Sequence, residues 1–161
     1  MKKMEKCVTC GGKTLRDGVD RHEQRLGPQV FVAELPATIC ASCKESYVTS
    51  DTLLAFEGGV ARHLAQHGPA TGESFRFMRK SVGISAKDVA EMLATTPETI
   101  SRWEKGANGV GVDLWAWSTL AAIVLDELAG KTATRDRLAA TRRTKLAKTV
   151  AVELGPLRRR A

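Results

Sequence analysis

Four cysteines are the residues whose type and spacing could do chemistry. Cys7-Val8-Thr9-Cys10 and Cys40-Ala41-Ser42-Cys43 are two Cys-x2-Cys pairs with 29 residues between them. A two-residue gap lets a tight turn aim both thiolates at one ion. Two such turns complete a tetrahedral shell of four sulfurs, which suits zinc. Gly11 and Gly12, behind the first pair, permit the left-handed backbone such a knuckle needs. The expected ligands are Cys7, Cys10, Cys40 and Cys43, holding one structural Zn2+ per chain. A shell filled by four protein ligands has no open position for substrate or water, so it argues for scaffolding rather than catalysis.

Iron is the chemical rival. The same two knuckles with a long spacer resemble rubredoxin, where iron held by four cysteines moves single electrons. Against iron stand Lys44 in place of a glycine after the second knuckle, and only Phe31, Tyr47 and Phe56 as aromatics in this half. No apolar signal region follows Met1 to Lys6 and no stretch reaches the roughly 18 apolar residues of a membrane span. The expectation is therefore a cytoplasmic protein with no membrane partner, whose cysteines are not a disulfide framework. No Ser/His/Asp or Cys/His arrangement, phosphate loop or carboxylate pair is evident, and an enzyme is not expected.

The 161 residues carry 25 Lys+Arg against 18 Asp+Glu, a formal net charge of +7. Residues 1–130 hold 15 basic and 16 acidic side chains, whereas 131–161 hold 10 and 2. The chain is thus near-neutral with a cationic tail, and that tail reads either as a phosphate-following segment or as a solubilising one.

These residues need elements to position them. Between the cysteine pairs, Gln29–Leu35 is β-prone and ends at Pro36, with Lys13–Arg21 as its partner. From Ser50 the apolar spacing turns helical through Leu53, Leu54, Phe56, Val60 and Leu64 behind a Ser50 or Asp51 cap, weakened by Gly58-Gly59. His67-Gly-Pro-Ala-Thr-Gly72 reads as a linker. Beyond it, helical patterns cover about 73–82, 86–94, 97–105 and 114–129. The expected class is α+β: a small zinc-ribbon-like β module and a following helix (1–66), a linker (67–72), an all-α unit of about five helices (73–130), and a basic tail (131–161) that reads either as a short helix near Leu138 followed by a longer basic helix or as disordered.

Residues 85–106 read as helix, turn, helix. Ser85 caps the first helix with Asp88 three residues on, and Val89, Met92 and Leu93 face inward beside a small Ala90. Thr96 caps the second helix and Pro97 sits at its first position, where a missing N–H costs nothing. Ile100 and Trp103 are its buried pair, and Gly106 ends it. Glu98, Thr99, Ser101, Arg102 and Lys105 are left outside, a polar face of the kind that enters a DNA major groove. Ser85 can reach a phosphate, Lys87 and Lys105 fit phosphate contacts or plain surface charge better than base reading, and Glu98 with Arg102 also fits an ordinary i, i+4 surface ion pair.

The stretch Ile100-Ser-Arg-Trp-Glu-Lys-Gly106 behind a Ser85-capped helix resembles the helix-turn-helix of the Cro and lambda-repressor type. Joined to an N-terminal Cys-x2-Cys…Cys-x2-Cys module, residues 7–129 resemble the MqsA antitoxin family with its YgiT-type zinc-binding domain. The resemblance implies an antitoxin that holds an RNA-cleaving toxin and, as a homodimer, represses its own operon at a palindromic operator. It makes Cys7, Cys10, Cys40 and Cys43 the zinc ligands and Arg102 the base-reading arginine. Two positions depart from the pattern. Glu98 stands where the family usually has Asn, and a carboxylate accepts from cytosine N4 rather than donating to adenine N7. Ala86 stands where a Gln is common. A stand-alone helix-turn-helix regulator without a toxin is the nearest alternative, and a rubredoxin-like electron carrier fused to helices is the alternative from another class.

In the last clear helix, capped by Asp113, Leu114, Trp117, Leu120, Ala121, Val124 and Leu128 make one apolar stripe and read as core. Trp115, Ala122 and Ile123 make a second, expected at a dimer interface because a palindrome needs two copies. His22, His63 and His67 read as scattered surface histidines.

Overall fold

A computed structural model describes residues 5–106 and 111–143, the last three by backbone alone. Three strands come first: β1 (Leu15–Leu26), β2 (Gln29–Cys40) and β3 (Ser46–Val48). Six helices follow: α1 (Ser50–His67), α2 (Gly72–Ser81), α3 (Ala86–Met92), α4 (Pro97–Lys105), α5 (Leu114–Leu128) and α6 (Ala133–Arg143). The fold class is α+β, with the cysteines beside the strands and the helix-turn-helix segment within the helices.

β1 and β2 form a longer hairpin than the sequence pattern suggests, pairing antiparallel from Leu15↔Cys40 to Leu26↔Gln29 across the Gly27-Pro28 turn. Gly27 takes φ +56, as a two-residue hairpin turn demands. Side chains alternate down β1: Asp20, His22, Gln24 and Leu26 turn toward the protein while Arg21, Glu23 and Arg25 turn to solvent. The alternation is mostly polar, and so weak as a sequence signal. β2 passes straight through Pro36, where its second edge has no partner strand among the described residues. β3 pairs only with Ala37–Ile39, and an edge is where a proline is tolerated.

The 67–72 segment does not separate the molecule into independent cores. α1 and α2 on either side of it pack together, α1 also lies along α5, and one cluster joins Leu26, Val60 and Leu64 to Phe75, Ile100 and Val124. The helix at 50–67 thus belongs to the helical core. Gly58, which seemed to weaken it, is what lets it approach: a Cβ there would lie 3.2 Å from Leu128 Cδ2. The hairpin tip is tied to the same core by buried Leu26 and by the Gly27 N–H, which donates to Glu73 Oε2 at 2.6 Å.

α6 docks through half-buried Leu138 and is held at its start by Asp126, whose carboxylate accepts from both the Thr134 N–H and its hydroxyl. That hydrogen bonding holds the Asp126 carboxyl below its usual range. The longer basic helix expected further on lies outside the described residues. Among those described, no helix is long and apolar enough to cross a membrane.

Candidate metal centre and nucleic-acid interface

The two cysteine turns are built alike. Gly11 N–H donates to the Cys7 carbonyl at 2.9 Å, and Lys44 N–H donates to the Cys40 carbonyl at 3.0 Å. The residue after each pair takes the left-handed backbone, Gly11 with φ +71 and Lys44 with φ +64. Lys44 therefore does what a glycine would do, at the strain cost of a side chain in that region. β2 ends on Cys40 and delivers the second knuckle opposite Thr14, whose carbonyl accepts from Ala41 N–H at 2.9 Å.

The four sulfurs lie within 4.8 Å of one another. Cys7 and Cys43 Sγ are 3.5 Å apart, and Cys10 and Cys40 Sγ 3.7 Å. Bonds of about 2.3 Å in a tetrahedron place ligand sulfurs about 3.8 Å apart, so this spacing fits one central ion. It is far beyond an S–S bond, and all four cysteines are free. Cys7 and Cys40 are buried, Cys10 and Cys43 exposed. Gly12 closes the cradle: a Cβ there would meet Ser42 Oγ at 3.0 Å and the Cys10 and Cys40 sulfurs at 3.3 and 3.5 Å.

The electrostatics ask for a cation. The Tyr47 hydroxyl, with help from the Cys10 N–H, lowers the Cys7 thiol to about 6. Backbone N–H groups of Cys43 and Ser42 lower Cys40. Cys43, in spite of the Glu45 N–H beside it, is pushed up to about 12 by partial loss of water around its sulfur and by the other three sulfurs. Four adjacent sulfurs cannot all ionise unless positive charge sits among them, and a metal ion supplies it. The donor set therefore suits a four-coordinate thiolate metal site.

The helix-turn-helix forms as its caps dictate. Ser85 and Asp88 make a complete capping box at α3, each side chain bonded to the other residue's backbone N–H. That bonding holds the Asp88 carboxyl below its usual range. Thr96 accepts from Thr99 N–H, Pro97 opens α4, and Gly106 ends it at φ +59. The turn contains Ala94 at φ +54, a conformation that favours glycine. Val89, Ala90 and Ile100 are buried, whereas Met92, Leu93 and Trp103 are only half-buried. Trp103 meets Phe75 edge-on, ring centres 6.2 Å apart.

The outward face carries exposed Glu98, Arg102 and Lys105 with half-buried Thr99 and Ser101, and Ser85 and Lys87 are exposed at the start of α3. No carboxylate lies within ion-pair distance of Arg102 among the described residues, so its guanidinium is presented to solvent. Glu98 is held below the usual carboxylate range by its own backbone N–H at the start of α4, then by Thr96, with a smaller pull from Arg102.

Two expectations for α5 are corrected. Ile123 is 2% exposed and belongs to the chain's own core, so it is not available to a partner. Leu114 is not core: it is 71% exposed beside Trp115 at 83%. The helix turns so that Trp117, Leu120 and Val124 face inward and Leu114, Trp115 and Ala122 face out. The histidines are also less scattered than they read. His22 meets Phe56, His63 meets Phe31, and the His63 and His67 rings lie 4.8 Å apart along α1.

The pattern reading missed the ion pair behind α4. Arg79, 8% exposed, bonds Glu104 twice, Nε to Oε1 at 2.7 Å and Nη2 to Oε2 at 3.1 Å, and gives Nη1 to the Ile84 carbonyl at 2.8 Å. It pins α4 to α2 and the start of the α3 turn. The available signal was an arginine on the apolar face of α2, four residues after Phe75 and next to Met78. Gly72 completes the junction, since a Cβ there would fall on the Trp103 carbonyl.

Residues 75–114, from α2 through the start of α5, match the family model described as helix-turn-helix. No curated protein and no solved structure matches the chain. The match supports a DNA-binding transcription regulator.

Proposed function

We propose that this helix-turn-helix chain is a sequence-specific repressor that reads a palindromic operator as a homodimer, with α4 in the major groove. The observation that carries the reading is the exposed Arg102, with no ion-pair partner among the described residues, on a helix pinned from behind by the Arg79–Glu104 pair. A free guanidinium in a groove can bond guanine O6 and N7 together. Glu98 reads cytosine N4, Thr99 and Ser101 flank the base contacts, and Ser85, Lys87 and Lys105 take phosphates. Basic residues of the tail follow the phosphate backbone and add affinity without sequence information.

Arg102→Ala is expected to lose about 1–3 kcal/mol of discrimination between the operator and an altered site. Fluorescence anisotropy on both duplexes at one salt concentration measures this. Equal discrimination by wild type and Arg102→Ala would remove the base-reading role.

The exposed Leu114–Trp115 corner and Ala122 of α5 form the dimer contact. A tryptophan 83% exposed on an isolated chain is apolar surface that a second copy would cover. Trp115→Glu is expected to convert the dimer to a monomer in light scattering and to weaken full-operator binding at least tenfold, leaving half-site affinity unchanged. A Trp115→Glu protein that remains dimeric places the interface elsewhere.

The four cysteines hold one zinc ion as a structural centre. A red protein with one iron per chain would instead favour electron transfer. A four-cysteine β module preceding a helix-turn-helix supports the antitoxin reading, in which the N-terminal half holds an RNA-cleaving toxin. Co-purification with the product of a small neighbouring reading frame tests that partner, and the absence of such a complex leaves a stand-alone regulator.

A further inference from the structure

The single tyrosine of the chain stands against the metal cluster, and its hydrogen bonds can be counted. Tyr47 lies in β3, paired with Thr38 of β2, so the sheet fixes its place. Its hydroxyl oxygen is 3.1 Å from Cys7 Sγ, 3.4 Å from Thr9 N and 3.2 Å from Thr9 Oγ1. The Thr9 N–H can only donate, and it donates to the Tyr47 oxygen. A metal-bound thiolate can only accept. The one phenolic proton therefore points at Cys7 Sγ, and the Thr9 hydroxyl donates to the remaining lone pair of Tyr47. All three partners are satisfied by one arrangement.

We propose that Tyr47 is a positioning residue of the metal centre: its hydroxyl donates to the Cys7 thiolate, draws electron density from that sulfur and makes it a quieter ligand. The inference rests on the four-cysteine metal reading. A four-thiolate shell around a divalent ion keeps two negative charges, and donors outside the shell spread them. Cys10 N–H gives Cys7 a second, longer bond at 3.4 Å, while Cys40 and Cys43 receive backbone N–H groups. Tyr47 also ties the two knuckles together, because it sits four residues after Cys43 and bonds across to Cys7 and Thr9. A bond from the sheet to the first knuckle thus passes through the same hydroxyl that tempers the ligand.

The test uses the full chain in four forms: wild type, Tyr47→Phe, Thr9→Val, and wild type grown with 3-fluorotyrosine, which labels this one position. Fluorination makes the phenol a stronger donor. With Co2+ in place of zinc, the sulfur-to-metal charge-transfer band is expected to move to lower energy in Tyr47→Phe and to higher energy in the fluorinated protein. Release of zinc on adding N-ethylmaleimide, which alkylates the sulfur, is expected to run about tenfold faster in Tyr47→Phe and slower in the fluorinated protein. Thr9→Val keeps the Tyr47-to-sulfur bond and is expected to stay within about twofold of wild type in release rate. If Tyr47→Phe fails to fold, the fluorinated protein alone decides. Bands and rates unchanged in a wild type that does load metal overturn the role of Tyr47 alone. A wild type that takes up neither Co2+ nor zinc overturns the four-cysteine reading and this inference with it.

Discussion

Cys40→Ser is expected to abolish stoichiometric metal binding and melt both knuckles, residues 5–14 and 40–48, while the helices stay folded. Structural zinc in small thiolate sites carries an apparent binding free energy of about 10–16 kcal/mol, and this end of the chain has little else. Beyond the sulfurs, its described contacts are backbone bonds, the three-residue pairing of β3 with β2, the Ser46 hydroxyl donating to Asp20 and the Tyr47 hydroxyl. The helical core does not depend on it, because α1, α2 and α5 close around Leu64, Phe75 and Val124, each 0% exposed. Operator affinity is expected to change by less than about threefold, since the proposed phosphate and base contacts lie on α3 and α4. Amide exchange resolved along the chain checks this: rapid exchange confined to the knuckles agrees, whereas loss of protection in α4 and α5 would show one cooperative unit.

Glu104→Ala is the second large effect. It leaves the Arg79 guanidinium nine-tenths buried with the Ile84 carbonyl as its one remaining partner among the described residues. Removing one member of such a pair costs about 3–5 kcal/mol because an uncompensated charge stays inside. The 3.9 Å contact from Arg76 to Glu104 is longer and more exposed and contributes little by comparison. Denaturant unfolding measures the loss, and the double variant Glu104→Leu with Arg79→Met should recover much of it by replacing charge with apolar contact. A loss below about 1 kcal/mol would place the pair among ordinary surface ion pairs.

The four-cysteine cluster and the helix-turn-helix were legible in the sequence because each rests on short-range chemistry. Two residues between cysteines fix a turn, and a serine, a threonine and a proline mark where helices start whatever surrounds them. The length of the hairpin was not legible. β1 is Leu-Arg-Asp-Gly-Val-Asp-Arg-His-Glu-Gln-Arg-Leu, and its inward residues are as polar as its outward ones, so no alternation announces it. Pro36 argued for a strand end, yet a strand with an open edge continues through it. The α5 error has a similar source. Leu114 and Ile123 are both strongly apolar, and only the packing of α1 and α2 against α5 decides which of them is covered. Arg79 failed for the opposite reason: a charged side chain reads as surface until its partner, 25 residues away, is known to face it.

The hairpin also has a mechanical consequence. Twelve residues at about 3.3 Å each put the cysteine end some 35–40 Å from the turn. The turn itself is fastened to Glu73, and the preceding Gly72 rests on the Trp103 carbonyl at the end of the recognition helix. Leu26 in the core and the His22–Phe56 and Phe31–His63 contacts with α1 seat the same half of the hairpin, and the cysteine end extends beyond these anchors. Any coupling between a partner bound at the cysteine end and DNA bound at α4 would be reciprocal in binding free energy, each changing the affinity for the other by the same factor.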